Sequence, residues 1–416
     1  MTRIFYGWYV VAGAFLVAVW AWGIAFYGLG IYLVALSREH GWSISAVSIA
    51  ITAYYLMGAA VTASVGSLMR RVGAHRAVAG GVLAMAVGVA SLASIDRLWQ
   101  LYAALAAMAA GWACMSGAAI NILVAPWFRR QLGVATSLAL TGASGGGVIV
   151  APALLALIAH QGFGPALRIS AVAMVATLLP VAAFVLSRTP AQLGVGPDGE
   201  PAPREESARA RPAEPGRAQV FGTRRYWTIS IAFATGLAAQ VGVLTHMISQ
   251  LSPLLGPAGA GGALSLTTVA AIAGRVPMGA LADRLDRRVI AALNFLLQVV
   301  GIALLAWPRS HAAIYAGCAL FGLGVGNVIT LPGLLVEQEF PRDQFAGTVS
   351  LITATNQLAF AFSPGLLGIL RDATGDYGIA FSLCAAADLF AAAVVVLGRS
   401  ARPPAPALTL HPRRES

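Results

Sequence analysis

Arg275 is a full charge set inside an apolar stretch, AIAGRVPMGALADR over residues 271–284. The stretch ends at Asp283 and Arg284, eight residues further on. At ~1.5 Å of helical rise per residue, the guanidinium is anchored ~12 Å inside the segment. In hydrocarbon such a charge costs at least ~2.5–3.5 kcal/mol unless it meets water, a ligand or a partner. Two readings follow. Its planar fork can hold a carboxylate bidentately, most strongly where water is excluded. Alternatively it neutralises a carboxylate of the chain, and the other charge set deep in an apolar segment is Asp388. Pro277, two residues on, cannot donate to the Ala273 carbonyl, so a bend or loosened turn is expected beside Arg275.

Further polar side chains fall inside apolar segments: Asn356 and Gln357 about ten residues into theirs, then Asn327 and Asn121. Each either lines a cavity with Arg275 or hydrogen-bonds a neighbouring helix, at ~0.6 kcal/mol on average. Trp20, Tyr27 and Tyr54 either wall that cavity or pack. His246 lies within a segment core, where an ordinary pKa of ~6.5 suits either a proton site or a structural hydrogen bond. Asp388 is the second candidate proton site.

These residues need elements that cross a membrane. Charged residues make up 10% of the 416, hydrophobic residues 58%, and mean hydropathy is +0.77. So few charges cannot cover a soluble surface. The apolar residues come in blocks near the ~20 that span a bilayer as a helix. Soluble enzymes, secreted disulfide scaffolds and nucleic-acid binders are set aside, and the lipid bilayer is the expected surrounding. Cys114, Cys318 and Cys384 all lie in apolar segments, which argues against a disulfide framework or a zinc site. The first apolar stretch exceeds a signal-peptide core and is read as a retained helix.

Gly, Pro and charge clusters divide the chain into twelve apolar segments, near 8–36, 44–69, 77–95, 98–124, 132–159, 166–187, 226–251, 262–282, 289–307, 312–336, 346–370 and 377–398. All 27 basic residues are arginine. With the N-terminus cytoplasmic, 21 arginines fall on that side and five on the other. This bias places both termini in the cytoplasm of a multi-pass plasma (inner) membrane protein. Residues 188–225, rich in Pro, Gly, Ala, Arg and Glu, read as a disordered cytoplasmic linker. Residues 1–187 and 226–398 are then two six-helix bundles, and 399–416 a cytoplasmic tail.

The halves repeat. GSLMRRVGAHR at 66–76 returns as GALADRLDRR at 279–288, Ser137-Leu138 as Ser350-Leu351, Pro152-Ala-Leu-Leu as Pro364-Gly-Leu-Leu, and Phe128 as Phe340, at offsets of 212 or 213. Repeated bundles suit rocking around a midplane site. The repeated loop resembles the G-x-L-x-D-R-x-G-x-R/K signature of the major facilitator superfamily. Gly279, Leu281, Asp283, Arg284, Arg287 and Arg288 match it. The first half keeps Gly66, Leu68, Arg71, Gly73 and Arg76 but has Arg70 in place of Asp. The resemblance implies an all-α fold of twelve transmembrane helices in two pseudo-symmetric bundles. It also implies a conformational latch involving Gly279, Asp283, Arg284 and Arg71, the first half lacking the Asp.

FYGWYVV at 5–11, EHGWSISAVSIA at 39–50, PWFRRQLGVATSLALTGASGGG at 126–147 and AGRVPMGALADR at 273–284 resemble the monocarboxylate transporters and oxalate–formate antiporters. That likeness implies a secondary transporter of small organic anions, by proton symport or anion exchange, with Arg275 binding the carboxylate. Asn356, Gln357, Asn327, Asn121 and Tyr27 are the expected companions. Gly142, Gly145, Gly146, Gly147 and Pro152 would pack the fifth span on the eighth. Two departures bear on substrate and coupling. The antiporters have a second cation, a lysine in the eleventh span, where this chain reads Thr355-Asn356-Gln357. Some monocarboxylate transporters have an aspartate one turn before the arginine, where this chain has Ala271. A small carboxylate, with protons in the symport case, is the expected partner, and neither nucleic acid nor cofactor nor metal is. The chain is expected to act as a monomer. The rival reading is a multidrug or other small-molecule exporter of the same fold. An enzyme would need paired carboxylates, Ser/His or a metal set at common depth.

Overall fold

The computed structural model describes residues 5–200, 220–282, 285–341 and 344–398. They form twelve helical crossings: α1 Tyr6–His40, α2 Ile44–Val72, α3 Ala74–Leu92, α4 Leu98–Val124, α5 Leu132–Gln161, α6 Phe163–Val185, α7 224–255, α8 257–282, α9 Arg287–Ala306, α10 His311–Glu339, α11 345–374 and α12 Gly378–Leu397. Ten helices qualify as spans by length and composition. One of these, Arg224–Arg275, has 52 residues and would reach ~78 Å as a straight rod, far more than the ~30 Å of hydrocarbon. Gly256 folds it back, with φ 71° and ψ 169°. Pro257 then opens α8, where its missing N–H and fixed φ suit a first helical turn. The seventh and eighth spans are thus joined by a sharp backbone turn at Gly256. No such break occurs at Pro277: non-helical dihedrals in this helix occur only at Gly256.

Local chemistry fixes the ends. The Ala46 N–H donates to Ser43 Oγ at the start of α2 (3.1 Å), and the Ala313 N–H to Ser310 Oγ before α10 (3.2 Å). The Arg288 N–H donates to Asp286 Oδ1 at the start of α9 (2.8 Å). Such caps occupy donors that have no partner within the helix.

Both ends of the 188–225 segment, expected as a disordered linker, are structured among the described residues. Residues 191–193 and 197–199 form single helical turns, and the Asp198 N–H donates to the Trp127 carbonyl (2.8 Å). Asp198 Oδ2 accepts from the N–H groups of Arg129 (3.0 Å) and Arg130 (2.7 Å), and Glu200 pairs with Arg130 (2.9 Å). At φ 59°, Asp198 adopts a backbone that Asp tolerates better than most residues. At the other end, Trp227 Nε1 donates to the Phe221 carbonyl (2.8 Å), fastening 220–225 to α7. Residues 201–219 and the tail, 399–416, lie outside the described residues.

The Arg130 and Arg129 amides hold the Asp198 carboxyl below the ordinary carboxylate range. A depressed carboxylate contributes above its unfolded pKa of ~3.9, and the contribution is lost as pH falls through the folded value. Hydrogen-exchange protection factors over 127–131 should be equal at pH 7 and 5 and fall below about pH 4. Asp198→Asn should show the loss already at pH 7. Equal protection at pH 7 and 3 would contradict this anchor.

The two bundles meet on the side of the α1–α2 and α11–α12 turns, hereafter the distal side. There the Ser45 N–H at the start of α2 donates to Asp372 Oδ2 at the end of α11 (2.7 Å), across the bundle boundary. The Gly365 N–H donates to Thr52 Oγ1 (3.0 Å), and Gly368 lies against Ser48. Gly30 of α1 lies on the Thr245 carbonyl of α7. On the opposite, linker side, ion pairs join helices of the second bundle. Arg288 binds Glu339 through Nε (2.5 Å) and Nη2 (2.7 Å), and Arg287 reaches Glu337 (3.0 Å). Of the residues expected in a latch, Arg71 is exposed in the last turn of α2, and Gly279 lies in α8. Asp283 and Arg284 lie outside the described residues.

Candidate functional site

Arg275 is positioned by three helices. On α8, Gly274 lies directly on the Leu323 backbone, so α8 and α10 approach too closely for any side chain there. On α10, Gly326 backs the arginine: a Cβ at that position would stand 2.6 Å from Arg275 Nε and 3.0 Å from its Cγ. Across the bundle boundary Tyr27 of α1 lies within electrostatic range of the guanidinium. Arg275 Nε is buried without a hydrogen-bond partner among the described residues. The group is held at the boundary with donor capacity unspent.

Tyr27 ends a five-residue π-helical stretch, Gly23–Tyr27, and α5 has another at Gly146–Val150. Such wide turns recur at functional sites because they re-aim side chains and release backbone groups. The Tyr54 hydroxyl donates to the Ala25 carbonyl within the first stretch (2.8 Å). The two π stretches touch, Gly146 against Gly23 and Val150 against Gly23. Here the structure corrects an expectation. Gly142, Gly145 and Gly146 pack α5 on α1, against Phe15, Val19 and Gly23. Gly147 alone of the set meets α8, at Thr268, with Tyr27 beside it.

The expected companions of Arg275 divide. Asn356 is 6% exposed and its Oδ1 has no partner among the described residues. It shares a helix face with Phe360, four residues on, whose ring meets Tyr55 of α2 at 5.2 Å. Asn356 therefore faces the first bundle. Gln357, one residue on, is half-buried on an adjoining face. Asn327 belongs to packing: its Nδ2 donates to Asn294 Oδ1 (3.1 Å) and the Leu323 carbonyl (2.9 Å), tying α10 to α9. Asn121 is exposed, three residues from the linker-side end of α4, and no contact joins it to Arg275 among the described residues.

Neither candidate proton site joins this group. His246 is fully buried, its Nε2–H donating to the Pro364 carbonyl (2.9 Å) and its Nδ1 meeting the Tyr377 hydroxyl (3.0 Å). It clamps the break in α11, between Ala361 and Ser363, to α7 and α12. Asp388 is fully buried in α12 near Cys384, its carboxyl oxygens without hydrogen-bond partners among the described residues.

Sequence reasoning passed over Gly326 and Tyr55. A glycine before an asparagine in an apolar segment reads as packing, and only the α8–α10 crossing shows that it makes room for Arg275. The Gly326→Ala variant should lower transport at subsaturating substrate by roughly tenfold, because the Arg275 side chain must shift. Gly333→Ala in the same helix, where a Cβ meets nothing within 4 Å, is the matched control and should leave uptake unchanged. Equal uptake by both variants would remove Gly326 from the site.

Known proteins show the same architecture. The solved nucleoside transporter NupG superimposes with a TM-score of 0.71 over 95% of this chain and 99% of its own, at 12% identity, a likeness of fold alone. Human monocarboxylate transporter 11 is 30% identical over 412 residues, covering 91% of this chain and 80% of that protein. The MFS transporter asaE of Aspergillus flavus is 27% identical over 327 residues, 75% of this chain and 68% of its own. A family profile described as Major Facilitator Superfamily matches residues 11–261 and 254–415. With the twelve crossings and a charged group held between two repeated bundles, this match identifies the chain as a member of the Major Facilitator Superfamily, a multi-pass membrane transporter and not an enzyme.

Proposed function

We propose that the chain is a secondary transporter of small organic anions, monocarboxylates in particular, working by alternating access. The observation that carries this reading is Arg275, a guanidinium held at the boundary of the two bundles with a buried, unpartnered Nε. Tyr27 lies across the bundle boundary from it, and Asn356 turns an unpartnered Oδ1 toward the first bundle. The arginine bias supports cytoplasmic termini in a plasma membrane. The distal contacts Ser45–Asp372 and Thr52–Gly365 would then close the outer side, as in a state that exchanges substrate with the cytoplasm.

One buried cation neutralises one carboxylate, and a second would remain unpaired at a cost of several kcal/mol. Monoanions should therefore bind in preference to oxalate. Flux of labelled lactate, formate and a cationic dye into proteoliposomes, with oxalate as competitor, tests this reading. Oxalate competing more strongly than unlabelled lactate or formate would reverse the charge assignment. Dye flux without carboxylate flux would favour the exporter, whose cationic substrates call for a carboxylate where Arg275 stands.

Coupling follows from the same residues. With Ala271 one turn before Arg275, no local carboxylate exchanges a proton for the substrate. A lone monoanion is driven outward by ~2.3 kcal/mol per 100 mV of inside-negative potential. Accumulation requires a proton travelling with the acid or exchange for another anion. Internal pH during lactate uptake, with the potential clamped, separates them: stoichiometric acidification marks symport, and a strict need for trapped anion marks exchange.

A further inference from the structure

Beyond Tyr27 the first bundle presents a run of rings. The Phe26 and Tyr27 centroids are 5.2 Å apart, nearly perpendicular, and Phe26 lies near-parallel to Trp112 of α4 at 6.5 Å. Phe26 also meets Tyr55 at 6.5 Å, and Tyr55 meets Phe360 of the opposite bundle at 5.2 Å. The run thus begins beside Arg275, crosses α1, α4 and α2, and closes on α11. Phe26, Trp112 and Phe360 are only half-buried, although they lie among rings contributed by both bundles.

A carboxylate on Arg275 projects its substituent into these surroundings. A methyl or hydroxymethyl group leaves the rings beyond Tyr27 untouched. A planar ring two or three bonds from the carboxylate would extend past Tyr27 toward this run, where edge-to-face and offset contacts favour it over an aliphatic group of equal size. We infer that the substrate class of this site is an aryl-substituted monocarboxylate, with Arg275 holding the carboxylate and Phe26, Trp112 and Tyr55 holding the ring. This rests on the carboxylate reading above and adds the apolar half of the ligand.

The test is uptake of labelled 3-phenyllactate and labelled lactate by proteoliposomes of the full chain. Unlabelled 3-cyclohexyllactate and 3-phenyllactamide serve as competitors. The expected half-saturation for phenyllactate is at least about tenfold below that for lactate, the equivalent of one well-packed ring. Cyclohexyllactate should compete less well than phenyllactate. In Phe26→Leu and Trp112→Leu the phenyllactate-to-lactate preference should move toward one, a ratio insensitive to the amount of folded protein. Equal half-saturation for the two acids in the wild type overturns the ring subsite and leaves the carboxylate reading standing. Competition by the amide as strong as by the acid overturns the carboxylate reading, and the inference falls with it. Neither acid being taken up has the same consequence.

Discussion

Arg275→Ala is expected to abolish carboxylate uptake while membrane insertion and folding persist. The side chain ends at the bundle boundary with a buried Nε lacking a partner among the described residues, so its removal deletes a charge that costs free energy to insert. Arg275→Lys should recover little, because an ammonium lacks the planar fork that pairs both oxygens of a carboxylate. Uptake in proteoliposomes, normalised to protein recovered in the membrane, measures both. Uptake by the alanine variant at the wild-type rate would remove Arg275 from the mechanism.

Stability should depend most sharply on Glu339. Its partner Arg288 is 3% exposed, donates to both Glu339 oxygens, and uses Nη1 on the Val395 carbonyl (2.8 Å) and Thr228 Oγ1 (3.1 Å). One guanidinium thus joins α7, α9, α10 and α12 at their linker-side ends. Glu339→Ala leaves that charge buried and unpaired, at about 3–5 kcal/mol. The neighbouring Arg287–Glu337 pair has a Glu337 side chain 63% exposed, and Glu337→Ala should cost at most about 1 kcal/mol. Replacing both members of the buried pair with apolar residues, Arg288→Met with Glu339→Leu, should recover much of the loss. Thermal unfolding of the purified variants ranks them. Equal shifts for the two glutamate variants would contradict the burial argument.

Most of the fold was legible because a membrane helix advertises itself by length and apolarity, and because a duplicated bundle repeats its punctuation. Arg275 was legible for the same reason: a charge is conspicuous where the solvent is hydrocarbon. What the sequence left open depends on rotation and crossing. Tyr54 and Tyr55 are adjacent in sequence, yet Tyr54 fastens a π turn and Tyr55 reaches the opposite bundle. Asn327 and Asn356 looked equivalent, and the α9–α10 crossing consumes the amide of one while the other faces the first bundle. The glycines of α5 were expected against α8 and lie mostly against α1, because a stripe of small residues marks a close approach without saying to which neighbour. Polar composition between the bundles read as disorder, whereas Asp198 binds a specific turn through two backbone donors.

The most direct measurement is saturation of labelled lactate uptake by proteoliposomes at pH 7, with unlabelled lactate and the uncharged, similarly shaped lactamide as competitors. The account predicts saturable, protein-dependent uptake that unlabelled lactate suppresses, that lactamide leaves unchanged, and that is absent in Arg275→Ala. Lactamide competing as well as lactate, or the alanine variant transporting normally, would contradict it.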